Sequence, residues 1–245
     1  MRNELSQSLR RAVAEAWSFR WEVELEAELR FNRLAQRLAR IGALPVVVEL
    51  AARASSDERR HAALCGELAV GYGADSVPSG VSAREISPPA LDERDRVLYE
   101  VVAACCVTET ESVSVLTTLV NSVRSGRMQD ILRELLRDEV GHSRLGWAHL
   151  AHQSAQRNVH FLDALIPNML EGSVAPGLFQ ATREELESPE LLAHGVLPHS
   201  MKRAVFTTTL DDVVFPGLES LGVHAGPARK WLDTKMAASV PPSPG

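Results

Sequence analysis

Residues 57–61 read DERRH, and residues 138–142 read DEVGH. Asp-Glu-x-x-His therefore occurs twice in 245 residues, each time inside a stretch with helical periodicity. With 22 Glu, 10 Asp and 8 His in the chain, random placement gives roughly 0.7 Glu-x-x-His pairs and roughly 0.03 copies with Asp in front. Chance is a poor account of two. On a helix, positions three apart share a face, so Glu58 and His61 can meet one metal ion and Glu139 and His142 another. Neither pair fills a coordination sphere, so each needs a carboxylate from a partner helix.

The sequence around the motifs supplies such partners. Trp17, Trp21, Leu25, Phe31, Leu34, Leu38 and Ile41 recur at three- and four-residue steps and predict one long helix over 5–41. Gly42 can end it and Pro45 can open the next helix, which runs to about 72. GYGADSVPSGVSAREISPPALD (71–92) is too long for a tight turn and reads as a crossover. A third helix is expected over 91–124, a short break at RSGR (124–127), and a fourth helix over 127–157. Two short turns around one long crossover give an all-α chain: a ferritin-like four-helix bundle over 5–157, with the crossover between its second and third helices. Beyond it, 158–237 reads as a helical extension packed on the bundle. Its helices are expected at 159–174 and 199–222, with Pro189, Gly195 and Pro198 between them. Residues 238–245 read as a disordered tail.

Glu109 lies in VVAACCVTETESVSVLTTL (101–119), where a charge is costly unless it is paired or ligated. A hairpin folded at about residue 125 sets it beside the 139–142 motif. On the first helix Glu22, Glu24, Glu26 and Glu28 compete. Folding about Gly42 brings Glu24 opposite the 58–61 motif, whereas folding about Leu44 favours Glu28. Geometry alone leaves that choice open.

Composition narrows the classes. Net charge is −6, which argues against non-specific nucleic-acid binding. Cys65, Cys105 and Cys106 form no zinc-like or redox spacing, and a reducing cytoplasm is the expected compartment. The first residues carry no apolar signal core, and no run of about eighteen uninterrupted apolar residues predicts a membrane span.

These residues resemble the ferritin-like diiron-carboxylate superfamily, and within it the chain is most similar to uncharacterised bacterial ferritin-like proteins. The likeness spans residues 15–157. It implies a Glu on the first and third helices and a Glu-x-x-His on the second and fourth. That ligand set is Glu24, Glu58, His61, Glu109, Glu139 and His142, around two iron ions, with manganese or a mixed Mn/Fe pair compatible. In that group the first Glu lies 34 residues before the second-helix Glu, which selects Glu24 and leaves Glu28 as a possible extra. CVTET (106–110) is similar to the group's CVGET and supports Glu109. The resemblance also gives Asp57 and Asp138 the far N–H of a ligating His, and Arg60 a partner in Asp138. DEVGH departs from it, with Gly141 where DERRH has Arg60.

The superfamily implies several activities. O₂ activation with oxidation of a small organic substrate is favoured here, with the electron donor unassigned. Ferroxidase and storage proteins place a Tyr seven residues after the first Glu, where this chain has Phe31. Rubrerythrin-like peroxide scavengers add a CxxC…CxxC domain that is missing here. Leu135 stands where diiron N-oxygenases carry an extra His, and Cys65 where ribonucleotide reductase small subunits place a radical Tyr. A non-catalytic metal-binding bundle is the remaining alternative, and the extension could cap the bundle or make a homodimer. The bland reading is surface glutamates and structural histidines. It requires six residues to match by accident. His149, seven residues after His142, reads as a core or surface His, and Glu111 as solvated or paired with an Arg.

Overall fold

The computed structural model describes residues 5–74, 78–124, 126–175 and 177–239. Among these residues all regular structure is helical. Helix α1 (Gln7–Arg40) starts where the Ser6 hydroxyl accepts the Leu9 N–H at 3.2 Å. It ends at Gly42, whose φ of +70° suits a residue without Cβ, with the Ala43 N–H returning to the Leu38 carbonyl. Pro45 then occupies the first turn of α2 (Pro45–Tyr72), where its missing N–H costs nothing. Helix α3 (Glu93–Ser122) is capped by the Asp92 carboxylate, which accepts from the Asp95 N–H. Gly126, at φ +98°, leads into α4 (Arg127–Gln156).

Two apolar clusters fix how these four helices run. One contains Leu9, Val13, Trp17, Cys65, Ala69, Leu116, Leu119, Ile131 and Leu135. The other contains Phe31, Leu34, Leu38, Val47, Ala51, Ala54, Val97, Val101, Cys105 and Leu145. Passing from the first cluster to the second, α1 and α4 ascend in residue number while α2 and α3 descend. The order is thus up, down, down, up, so Tyr72, where α2 ends, and Glu93, where α3 begins, lie at opposite ends of the bundle. Neighbours are α1 with α2, α2 with α4, α4 with α3 and α3 with α1, a closed ring. Each helix leaves a middle stretch between the clusters, and the acidic and histidine residues fall there.

The crossover is tied to the helices it passes. Arg37, 3% exposed, holds Glu93 through two hydrogen bonds of 2.8 and 2.9 Å and lies 3.2 Å from the fully buried Glu100. Glu100 also accepts the Ile86 N–H, and Arg33 donates to the Ala83 and Arg84 carbonyls.

Helix α3 widens into a π-helix over Val102–Thr108, immediately before Glu109. The extra residue turns every later position by about 100° and so sets the side from which Glu109 leaves the helix. Its outer face, with Leu98, Tyr99, Val102, Ala103, Cys106 and Val107, packs against the C-terminal extension. Burial on two faces explains its apolar run. Among the described residues it is the one helix long and apolar enough to cross a membrane, yet 56% of that window is buried within this fold.

The extension departs from expectation in three places. The stretch expected as one helix over 159–174 is a 3₁₀ turn, His160–Leu162, followed by α5 (Ile166–Ser173), because Pro167 opens a new helix. Helix α6 over 199–220 passes through a π segment, Leu210–Val214. The wide turn precedes Pro216, which brings no N–H and crowds the preceding turn. A further helix, α7 (Gly226–Ala238), was not expected. Pro227 sits in its first turn, where a missing N–H costs nothing. Between α5 and α6, Leu191 and Leu197 join the cluster around Trp17, and the Trp17 indole N–H donates to the His194 carbonyl at 3.0 Å. The tail expected from 238 lies, from residue 240, outside the described residues.

Helices α3 and α4 pack tightly at Gly146, where a Cβ would meet Cys105 Cβ at 2.5 Å and the Cys106 backbone nitrogen at 2.9 Å. Gly146→Ala is expected to lower stability by about 1–3 kcal/mol in denaturant unfolding. Gly141→Ala, whose Cβ meets nothing within 4 Å, should be neutral or gain up to about 1 kcal/mol.

Candidate metal centre

Between the two apolar clusters, α1 contributes Glu24, α2 Glu58 and His61, α3 Glu109, and α4 Glu139 and His142. All six are buried. They form two overlapping groups: Glu24, Glu58, His61 and Glu139, and Glu58, Glu109, Glu139 and His142. Within each group, one oxygen or nitrogen per residue lies within 4.8 Å of the others.

Glu58 and Glu139 belong to both groups, and their oxygens divide between the two histidines. Glu58 Oε2 lies 3.1 Å from His61 Nδ1, and Glu58 Oε1 lies 3.0 Å from His142 Nδ1. Glu139 Oε2 lies 3.1 Å from His142 Nδ1, and its Oε1 lies 3.9 Å from His61 Nδ1. Glu24 closes the first group, with Oε2 3.9 Å from His61 Nδ1.

Both imidazoles turn Nδ1 inward and Nε2 outward. His61 Nε2 lies 3.3 Å from Asp138 Oδ2, and His142 Nε2 lies 3.5 Å from Asp57 Oδ2. Each aspartate thus serves the histidine of the other motif. A proton on Nε2 shared with the aspartate leaves the Nδ1 lone pair free for a cation. Arg60 ties the two aspartates together, donating to Asp57 Oδ1 at 3.0 Å and Asp138 Oδ2 at 2.6 Å. Gly141 gives the second motif no matching arginine. Asp138 gains its second arginine from the adjacent position, where Arg137 donates to Oδ1 at 3.0 Å. Against the upward push of burial, Arg137, His61 and Arg60 hold Asp138 below the ordinary carboxyl range.

Sequence reasoning missed Arg20. It lies four residues before Glu24 on the same face, which was the available signal. It donates to Glu24 Oε1 at 2.8 Å and to Ser112 Oγ at 3.2 Å, and its Nη2 lies 3.6 Å from Glu139 Oε1. Phe31 packs on the other side, its ring centroid 5.2 Å from that of His142. Glu28 lies outside both groups and pairs with Arg59 at 2.8 Å. The first-helix residue brought into the cluster is Glu24. Glu111 is half-buried rather than solvated, and burial raises its carboxyl pKa, with Lys202 and Arg20 opposing. His149 is fully buried outside the groups. Burial lowers it to about 4, so it stays neutral.

Four carboxylates in one core layer need countercharge. Burial pushes Glu58 and Glu109 well above the ordinary carboxyl value, and the neighbouring Glu139 adds to this. Burial also disfavours the charged forms of Glu139 and His142, but their mutual contact prevails: Glu139 falls to about 2 and His142 rises to about 12. Without cations, protons supply the missing positive charge. The donors are carboxylate oxygens and imidazole nitrogens, a set suited to iron or manganese, and two divalent ions would balance four carboxylates. No family model, curated protein or solved structure matches this chain.

Two predictions follow from this geometry. Glu24→Gln should cut retained iron at least about tenfold, whereas Glu28→Gln should leave metal content unchanged on mass-spectrometric analysis. The second concerns pH. In the apo chain Glu58, Glu109 and His142 bind protons more tightly folded than unfolded, where 4.5 and 6.5 are the ordinary values. Apo stability should therefore fall as pH rises from about 5 to 8, by at most about 1.4 kcal/mol per pH unit for each extra proton. Glu139 has the opposite sign, but its contribution is lost only as pH falls from 4.5 towards 2, outside that range. Metal loading should remove the slope in urea unfolding, because cations then replace the protons.

Proposed function

We propose that the chain is a ferritin-like four-helix bundle holding a dinuclear iron centre, with manganese or a mixed Mn/Fe pair as compatible occupants. On this reading it is an O₂-dependent oxidase or hydroxylase of a small organic substrate, acting in the cytoplasm. The observation that carries the proposal is the division of the Glu58 and Glu139 oxygens between His61 and His142. A single ion would not need two carboxylates reaching both imidazoles, whereas two adjacent ions bridged by them would.

Each residue then has a defined task. Glu24 and His61 would complete the sphere of one ion, and Glu109 and His142 that of the other. Asp57 and Asp138 keep the histidine protons on Nε2 and hold the rings in place. Arg20 holds Glu24 and stands beside Glu139, limiting how far either can swing. Phe31 and the two apolar clusters keep bulk water from the layer. Two adjacent ions in the reduced, ferrous state would, when bound, supply electrons to O₂, with an external donor returning them to that state. Phe31 against His142 supports the oxidase over the storage reading, because no tyrosine hydroxyl stands at that position. Tyr72 is engaged elsewhere, hydrogen-bonded to His194 Nδ1 at 2.7 Å. The three free, buried thiols fit a reducing compartment.

The test begins with anaerobic Fe(II) loading and desalting. The parent should keep about two irons per chain and Glu139→Ala should lose most of them. Exposure to air should then consume O₂ in proportion to bound iron. No retained iron in the parent would overturn the proposal. Continued uptake of many irons into mineral would overturn its oxidase part in favour of storage.

A further inference from the structure

A second constellation lies on the surface of the extension, apart from the buried layer. His160 and Asp163 sit in and just after the 3₁₀ turn that follows α4, and His224 sits between α6 and α7. One ligand atom from each lies within 4.8 Å of the other two. The two imidazole rings are parallel, with centroids 5.0 Å apart and planes 1° apart.

Three features separate this set from a chance surface contact. The Asp163 carboxylate is already oriented: Oδ1 accepts the His224 backbone N–H at 2.8 Å, and Oδ2 lies 3.4 Å from His160 Nδ1. An edge of about 3.4 Å is what a tetrahedral ion with bonds of about 2.1 Å requires between two ligands. The frame is also rigid, because the neighbouring residues point inward: Val159, Leu162, Val223 and Ala225 are all buried in one core cluster. His160 and His224 are thereby directed outward; an imidazole lone pair lies in its ring plane, so the stacked rings must turn out of parallel to face one ion, a χ2 rotation open to exposed histidines. Finally, both imidazoles are exposed, so a fourth position beside the three ligand atoms stays open to water.

We propose that His160, Asp163 and His224 form a mononuclear site for a divalent transition metal of the zinc class. Two imidazoles and one carboxylate, with one open position, suit that ion. Bound there, it ties the segment after α4 to the junction before α7, two points 61 residues apart in sequence. The site uses none of the residues of the buried centre and stands or falls without it.

The experiment is calorimetric titration of the full chain with Zn(II), with and without prior iron loading, and with iron content measured in the same samples. The parent should bind one additional zinc. His160→Ala, His224→Ala and Asp163→Asn should each weaken that binding at least about tenfold with iron content unchanged. Asp163→Asn keeps an oxygen to accept the His224 N–H, so its loss of zinc would report ligation rather than local unfolding. Absence of an extra zinc in the parent would overturn the site, leaving a histidine stack beside a carboxylate. Equal affinity in the parent and in His224→Ala would overturn it as well.

Discussion

The structure depends on one electrostatic constraint: four carboxylates, Glu24, Glu58, Glu109 and Glu139, share a buried layer of a helical core. Ionised and unpaired, such a layer would be prohibitively costly. Among the described residues the Arg20 guanidinium is the positive side chain that reaches the layer, and protons or added cations would have to supply the rest. Protons on Glu58, Glu109 and His142 give a tolerable apo state. Cations would remove the need for them. Stability and metal affinity would thus be two aspects of one charge balance.

The surroundings keep that balance geometrically fixed. The layer lies between two apolar clusters, so helix spacing is set by packing above and below it. The exchange of aspartates between motifs links α2 to α4 through both histidines, and Arg60 closes the link. A shift of either helix would therefore disturb both imidazoles together. On the far side of α3 the extension buries a second face. That explains how a helix carrying Glu109 at the centre can be so apolar elsewhere.

Much of this was legible in the sequence because it rests on short-range spacing. Glu-x-x-His puts two side chains on one helical face whatever surrounds it, and Gly42 with Pro45 marks a turn by backbone chemistry alone. Glu109 stood out as the charge in an apolar run. The choice between Glu24 and Glu28 was not decided by spacing, because it depends on the turn geometry to within a residue or two. Three features were hidden for a different reason: they depend on which helices meet. The exchange of Asp57 and Asp138, the reach of Arg20 to Glu139 and the meeting of His160 with His224 are all long-range. Helix α7 was the opposite case, since Pro227 announced it locally.

The central claim is that this layer holds two ions bridged by Glu58 and Glu139. Anomalous diffraction at the iron edge, from crystals of iron-loaded protein, tests it most directly. The account predicts two peaks about 3.5–4 Å apart, each within bonding distance of Glu58, Glu139 and one histidine. A single peak, or an iron-free layer with all four carboxylates still turned inward, would contradict it.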